Sequence, residues 1–162
     1  SYIVEPKDAF YVPAGTIHAL NGKMLILEIQ QSSDITYRIY DYERLDPKTG
    51  KKRKLHIESA ISSINFSENK YEKIKYDVNE NKLNPIIENN FFKIYFLKIK
   101  GEETQKIFMN SSFWILVCIE GYLTVNYKNE KYSFEKGVTY LIPAMLNIIN
   151  IEGCGEIIAI TA

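Results

Sequence analysis

A ten-residue string occurs twice in this chain. Glu5-Pro-Lys-Asp-Ala-Phe-Tyr-Val-Pro-Ala14 aligns without a gap on Glu135-Lys-Gly-Val-Thr-Tyr-Leu-Ile-Pro-Ala144, matching a glutamate, an aromatic, two apolar residues and Pro-Ala. Self-similarity at a fixed, long separation marks a duplicated structural unit, and the separation here is one small β-barrel long. The chain is therefore expected to carry parts of two equivalent barrels. On this reading residues 1 to about 40 are the tail of a barrel whose earlier strands are not in the chain.

The first copy runs on into Pro13-Ala-Gly-Thr-Ile-His18. Proline holds φ and withdraws a backbone donor at a strand end, and Gly15 supplies the positive φ of a tight reversal. A strand, a turn and a histidine in that order aim His18 back into a sheet interior, a way of presenting a metal ligand. A lone histidine is more often a packing or surface residue. In the second copy the equivalents of Gly15 and His18 are Met145 and Ile148, so any metal chemistry is lost there and that block is structural.

With 162 residues and 46% apolar content, the chain has ample material for one core and little for two complete ones. Short runs rich in β-branched and aromatic residues read as strands over Ala9 to Val12, Met24 to Gln30 and Ile35 to Tyr42. Asn21-Gly22 signals a hairpin, and Asp46-Pro-Lys-Thr-Gly50 a second turn. The cluster Lys51-Lys-Arg-Lys54 reads as a solvated turn tip in preference to a phosphate patch. Ile57, Ala60, Ile61 and Ile64 share one helical face, with His56 at its start as a capping or surface residue. Residues 67–90 form a polar connector with at most an edge strand. Strands follow over Phe91 to Lys100, Phe113 to Ile119, Tyr122 to Tyr127, Lys131 to Phe134, Thr139 to Ile142 and Ile157 to Ile160. Many short strands with regular turns predict a mainly β sandwich or barrel.

Twenty acidic and twenty basic residues cancel, which argues against nucleic-acid or membrane-surface partners. Cys118 and Cys154 lie outside any Cys-x-x-Cys spacing and suit buried thiols in a reducing compartment, so a cytoplasmic location is expected. Sequons at Asn65 and Asn110 would matter only in a secreted protein.

The strings Phe10-Tyr-Val-Pro-Ala-Gly-Thr-Ile-His-Ala-Leu20, Leu27-Glu-Ile-Gln-Gln-Ser-Ser-Asp34, Thr36-Tyr-Arg-Ile-Tyr-Asp-Tyr42 and Leu55-His-Ile-Glu58 closely resemble the C-terminal half of the bacterial type I mannose-6-phosphate isomerases. The Pro-x-Gly-x-x-His element resembles the second motif of the cupin superfamily. The likeness is densest over residues 5–66 and loosens beyond. It implies a cupin-type double-stranded β-helix, or jelly-roll barrel, with a short helix. Three parts follow: 1–66, the tail of the metal-binding barrel; 67–90, the connector; and 91–162, a degenerate cupin-like β domain. It further implies a zinc-dependent aldose-ketose isomerase of carbohydrate metabolism, interconverting mannose 6-phosphate and fructose 6-phosphate through an enediolate.

In the resemblance His18 is the last zinc ligand, Arg38 the active-site arginine, and Glu28 an acidic residue facing the same pocket. A fixed guanidinium suits stabilisation of enediolate charge; the plainer role for Arg38 is a salt bridge to Asp34, Asp41 or Glu43. The chain departs from the family in lacking a Gln-x-His pair and further ligands, so one copy cannot complete a zinc site of three or four ligands. Lys7 also replaces the usual glycine of the cupin turn. The expectation is a part of an isomerase that is inactive alone, with one zinc per complete chain and sugar phosphate as partner. A homodimer through exposed sheet edges would cover what the missing strands leave open. The alternative is a non-catalytic cupin module for sugar binding or regulation, with His18 merely packed.

Overall fold

The computed structural model describes residues 1–33, 35–67, 73–101, 105–108, 112–146 and 148–162. Among these the elements are a helix, α1 (Ile57–Ser63), then seven strands: β1 (Leu83–Glu88), β2 (Lys93–Ile99), β3 (Gln105–Phe108), β4 (Trp114–Tyr127), β5 (Glu130–Glu135), β6 (Thr139–Ile142) and β7 (Ile148–Thr161). The chain divides into two compact units, Phe10–Glu72 and Ser1–Ala9 with Lys73–Ala162.

In the strand-rich unit the two long strands β4 and β7 pair antiparallel along nearly their whole length. Their outer edges are each shared by two shorter strands: β7 takes β2 on its second half and β3 on its first, while β4 takes β6 and β5. β1 extends the β2 edge. Every pairing is antiparallel, and the halves of β4 and β7 belong to two layers joined by the bend between them. A register shift between Cys118 and Glu120 marks that bend. There Gly121 and Gly155 lie opposite each other, and a Cβ on either would meet the facing carbonyl, Cys154 O at 2.3 Å or Glu120 O at 2.6 Å. Only glycine lets the backbones approach so closely.

Alternation along these strands builds the core. Leu97 and Ile99 of β2, Leu116, Cys118, Leu123 and Val125 of β4, Phe134 of β5, Ile142 of β6, and Ile149, Ile151, Ile157 and Ala159 of β7 form one buried cluster. At about 25 cal/mol per Å2 of apolar surface, each large side chain buried this way contributes roughly 1.5–3 kcal/mol. The predicted mainly β, cupin-type jelly-roll follows. Two anticipated strands, Phe113 to Ile119 and Tyr122 to Tyr127, are one bent strand. β7 is longer than expected, because its glycines continue the ladder instead of ending it. β1 lies within the polar stretch 67–90, where buried Asn84 ties Asn79, Lys82 and the Phe96 carbonyl together.

The duplication is visible in backbone geometry. Asp8 N donates to Glu5 O (3.1 Å) as Val138 N does to Glu135 O (2.9 Å), and Thr16 N to Pro13 O (3.2 Å) as Leu146 N does to Pro143 O (3.0 Å). Lys7, with φ +74°, stands where the second copy has Gly137, with φ +89°. A left-handed backbone costs a non-glycine residue roughly 1–2 kcal/mol, so Lys7 is held there by its surroundings.

The unit Phe10–Glu72 corrects three strand expectations. Ala9 to Val12, Met24 to Gln30 and Ile35 to Tyr42 contain no strand, and Ala9 alone makes a bridge, to Ile74. A strand exists only where a neighbour accepts its hydrogen bonds. The second-copy counterpart of residues 18–31 is β7, which is paired on both edges; the described residues offer residues 18–31 no such neighbours. Their large apolar side chains stay outside, Leu25 at 97% exposure and Leu20 at 60%. Asn21-Gly22 is a bend with positive φ at Gly22 alone, not the hairpin expected. The Asp46–Gly50 turn forms as read, with Gly50 N on Asp46 O (2.8 Å) and a bridge between Leu45 and Lys52. α1 also forms where the periodicity placed it, but only Ala60 is buried.

Candidate functional site

The turn Pro13–Thr16 presents His18. Gly15, at φ +83°, is wedged against the end of α1: an added Cβ would lie 2.9 Å from Ser63 O, and Gly15 O accepts a bond from Asn65 N at 3.0 Å. His18 is exposed, which corrects the expectation that it points into a sheet interior. Its Nδ1 lies 3.0 Å from Thr16 O. A carbonyl only accepts, so the contact assigns a proton to Nδ1, and in the neutral ring that leaves Nε2 as the atom that can bind a metal.

Arg38 is pinned from two sides by one residue: its N–H donates to His56 Nδ1 (3.3 Å), and its carbonyl accepts from His56 N (2.8 Å). His56 precedes α1 without a capping side-chain bond; its imidazole is used on Arg38 instead. The Arg38 guanidinium reaches Asp41, Nε to Oδ1 at 3.5 Å, so the plainer salt-bridge role read from sequence is realised. Asp34 lies outside the described residues.

Asp41 is the buried centre of this region, with 6% of its side chain exposed. Arg53 donates to it twice, at 2.7 and 2.5 Å, and Arg44 at 2.6 Å. The Arg53 hydrogen bonds, with Arg44 adding to them against the cost of burial, hold the Asp41 carboxyl down to about 2. Three guanidinium groups around one carboxylate leave a surplus of positive charge beside a small concavity of about 50 Å3 lined by Tyr40, Asp41, Glu43, Arg44, Lys52, Arg53 and Leu55. Lys51-Lys-Arg-Lys54 is thus not merely a turn tip: Arg53 turns inward and Lys52 pairs with Glu43. The sequence signal for this was the Asp46–Gly50 turn, which folds acidic residues 41 and 43 back upon basic residues 52 and 53. Glu28 is exposed, and among the described residues it makes no hydrogen bond or ion pair with His18 or Arg38.

Zinc wants three or four protein ligands. Among the described residues no group of three or more His, Cys, Asp or Glu side chains is arranged to hold a metal ion, and His56 Nδ1 is occupied. These residues by themselves do not make up a zinc centre; His18 is a single donor. In the second copy the corresponding end of the barrel holds a cavity of about 190 Å3 lined by Val125, Tyr127, Tyr132, Tyr140, Leu141, Ile142, Leu146 and Ile149. Its lining is aliphatic and tyrosine side chains. Both cysteines are free thiols, Cys118 buried and Cys154 exposed, and no helix among the described residues is long and apolar enough to cross a membrane.

The family described as mannose-6-phosphate isomerase, cupin domain, matches residues 82–162. Among curated relatives, the mannose-6-phosphate isomerase ManA of Bacillus subtilis is 36% identical over 157 residues, covering 96% of this chain and 49% of its own length. The mannose-6-phosphate isomerase of Streptococcus mutans is 32% identical with the same coverage. The chain thus spans about half the length of the curated relatives it matches. Among solved structures, the mannose 6-phosphate isomerase of Bacillus subtilis superposes with a TM-score of 0.65 at 28% identity, covering 79% of this chain and 40% of that one. The Salmonella typhimurium enzyme bound to substrate (F6P) and a zinc atom shares the fold, with a TM-score of 0.56 at 16% identity over 67% of this chain and 28% of that one.

Proposed function

The chain belongs to the mannose-6-phosphate isomerase family, and from that premise we propose that it serves as the C-terminal part of a zinc-dependent enzyme interconverting mannose 6-phosphate and fructose 6-phosphate. The observation that carries this reading is the pairing of a family match over the barrel with the anchored Arg38 and with His18 held through Nδ1 on the Thr16 carbonyl. Moving a proton between C1 and C2 of an open-chain sugar builds negative charge on the enediolate oxygens. A guanidinium held in place before the reaction stabilises that charge without reorganising. Arg38 suits the task because His56 fixes its backbone and because its contact to Asp41 is the longest of the three arginine contacts. Arginine remains charged at any working pH, so its role is electrostatic and not proton abstraction. Glu28 belongs to the same reading as a pocket residue.

Zinc would be held by His18 together with ligands that the described residues do not supply, one ion per complete enzyme. By itself the chain is proposed to be inactive. Its division into a metal-barrel tail (1–66), a connector (67–90) and a degenerate cupin domain (91–162), and its residence in the cytoplasm, are parts of the same proposal. The test is zinc content and coupled mannose 6-phosphate isomerase activity, measured on this chain and on a protein of the relatives' full length that contains it. Zinc and turnover in the longer protein alone support the reading. Stoichiometric zinc and turnover in this chain would overturn the inactivity, and none in either would favour a non-catalytic cupin module.

A further inference from the structure

We propose that Lys7 and Glu156 form a clasp that fastens the segment Ser1–Ala9 across the outer face of the barrel. Lys7 occupies a left-handed backbone position for the sake of its ammonium group. Four independent observations converge on this. Glu156 is 8% exposed on β7, on the side of the strand opposite the core residues Ile157 and Ile151. Its Oε1 accepts from Lys7 Nζ at 2.7 Å, while its Oε2 is buried with no protein partner among the described residues. A buried carboxylate without its cation is strongly disfavoured, so the barrel needs a positive group at this spot, and none of its own strands supplies one: Lys98, opposite Glu156 in the register, is drawn to Glu80.

The second observation is conformational. The repeat places Gly137 at the position of Lys7, both at positive φ, and the Cβ of a residue at 137 would meet nothing. The turn itself therefore calls for glycine, and a lysine there answers a different demand. Third, the same ammonium lies 6.0 Å from the centroid of the Phe96 ring, which is fully buried on the outer side of β2; Tyr76 closes over that ring at 5.8 Å. Fourth, the segment is tied on either side of Lys7: Tyr76 Oη donates to the Lys7 carbonyl at 2.7 Å, Asp8 pairs with Lys73 at 2.7 Å, and Ile74 N donates to Ala9 O at 2.9 Å. Residues 7–9 are thus tied to residues 73–76 beside Phe96 and Glu156, and Lys7 carries the charge that meets the buried Glu156.

Amide exchange at Ile74 reads the clasp, and amides of β4 paired to β7 serve as the control for global unfolding. The Lys7 side chain is half exposed, so its variants leave the core intact. Lys7→Met and Lys7→Asn are expected to speed exchange at Ile74 by about tenfold or more while the β4 amides stay unchanged, and Lys7→Arg to stay within about threefold of the parent. Asparagine tolerates positive φ, so its variant relieves the backbone while removing the charge. Parent-like exchange at Ile74 in Lys7→Asn overturns the proposal, as does Lys7→Arg exchanging as fast as Lys7→Met.

Discussion

Arg53 grips Asp41 with two hydrogen bonds, Nε to Oδ2 at 2.7 Å and Nη2 to Oδ1 at 2.5 Å, across the turn that separates them. Bidentate pairing of this kind is the strongest ordinary ion-pair geometry. It holds the folded carboxyl at about 2 against an ordinary value of 3.8. A carboxyl depressed on folding contributes stability that is fully present above its unfolded value and is lost as pH falls through the folded one. The local structure of residues 38–53 is therefore expected to be indifferent to Asp41 above about pH 5 and to loosen between about pH 4 and 2. A carboxyl titration by NMR, with amide exchange at Arg44, checks it; a midpoint near 3.8 would contradict the geometry. Asp41→Asn should abolish the acid transition.

In the longer enzyme, Arg38→Ala is expected to lower kcat/KM for mannose 6-phosphate by about 100- to 1000-fold, the usual effect of removing one preorganised group from a developing oxyanion. Zinc content should stay unchanged, because the guanidinium binds no metal. His18→Ala should lower zinc content and turnover together. Steady-state kinetics beside metal analysis separates the two roles, and equal zinc loss in both variants would refute them.

Glycines that look alike in sequence differ in what surrounds them. Gly137→Ala meets open space and bears only the left-handed strain, roughly 1–2 kcal/mol. Gly121→Ala bears the same strain at φ +86° and also drives a methyl to 2.3 Å from Cys154 O, so its cost is larger and disrupts the β4–β7 bend. Urea unfolding followed through Trp114, the single tryptophan and buried in the barrel, should rank them in that order.

Phe134 is fully buried between the layers while Leu141, on the neighbouring β6, is 64% exposed. Phe134→Ala is expected to cost about 3–5 kcal/mol, and Leu141→Ala no more than about 0.5 kcal/mol. The same Trp114 signal reads both.

The described residues 17–33 and 35–42 form no strand and expose Ile17, Leu25 and Ile35 among other large apolar side chains. Apolar surface on unpaired, strand-forming chain invites edge pairing. The isolated chain is accordingly expected to self-associate, with a second copy pairing along these segments. Sedimentation velocity should show the association weakened in a Leu25→Lys, Ile35→Lys double variant. A monomer at all concentrations tested would count against a homodimer.

Local rules within the sequence determined a good part of this protein. Alternation at period two placed β2, β5 and β6, periodicity placed α1 at Ile57–Ser63, and the duplicated Glu…Pro-Ala string carried its two hydrogen-bonded turns into both copies. These features depend on side-chain pattern and backbone preference over a few residues, which a sequence displays directly. Tertiary structure decided the rest, because it depends on partners far along the chain. Residues 24–30 have strand composition yet remain outside any sheet, since hydrogen-bonding neighbours and not propensity make a strand. Gly153 and Gly155 lie inside β7, because β4 lies against them. Lys7 looked like a minor departure from a glycine until Glu156, on the last strand, supplied its reason. Asp41 gathered its arginines only once the Asp46–Gly50 turn had closed.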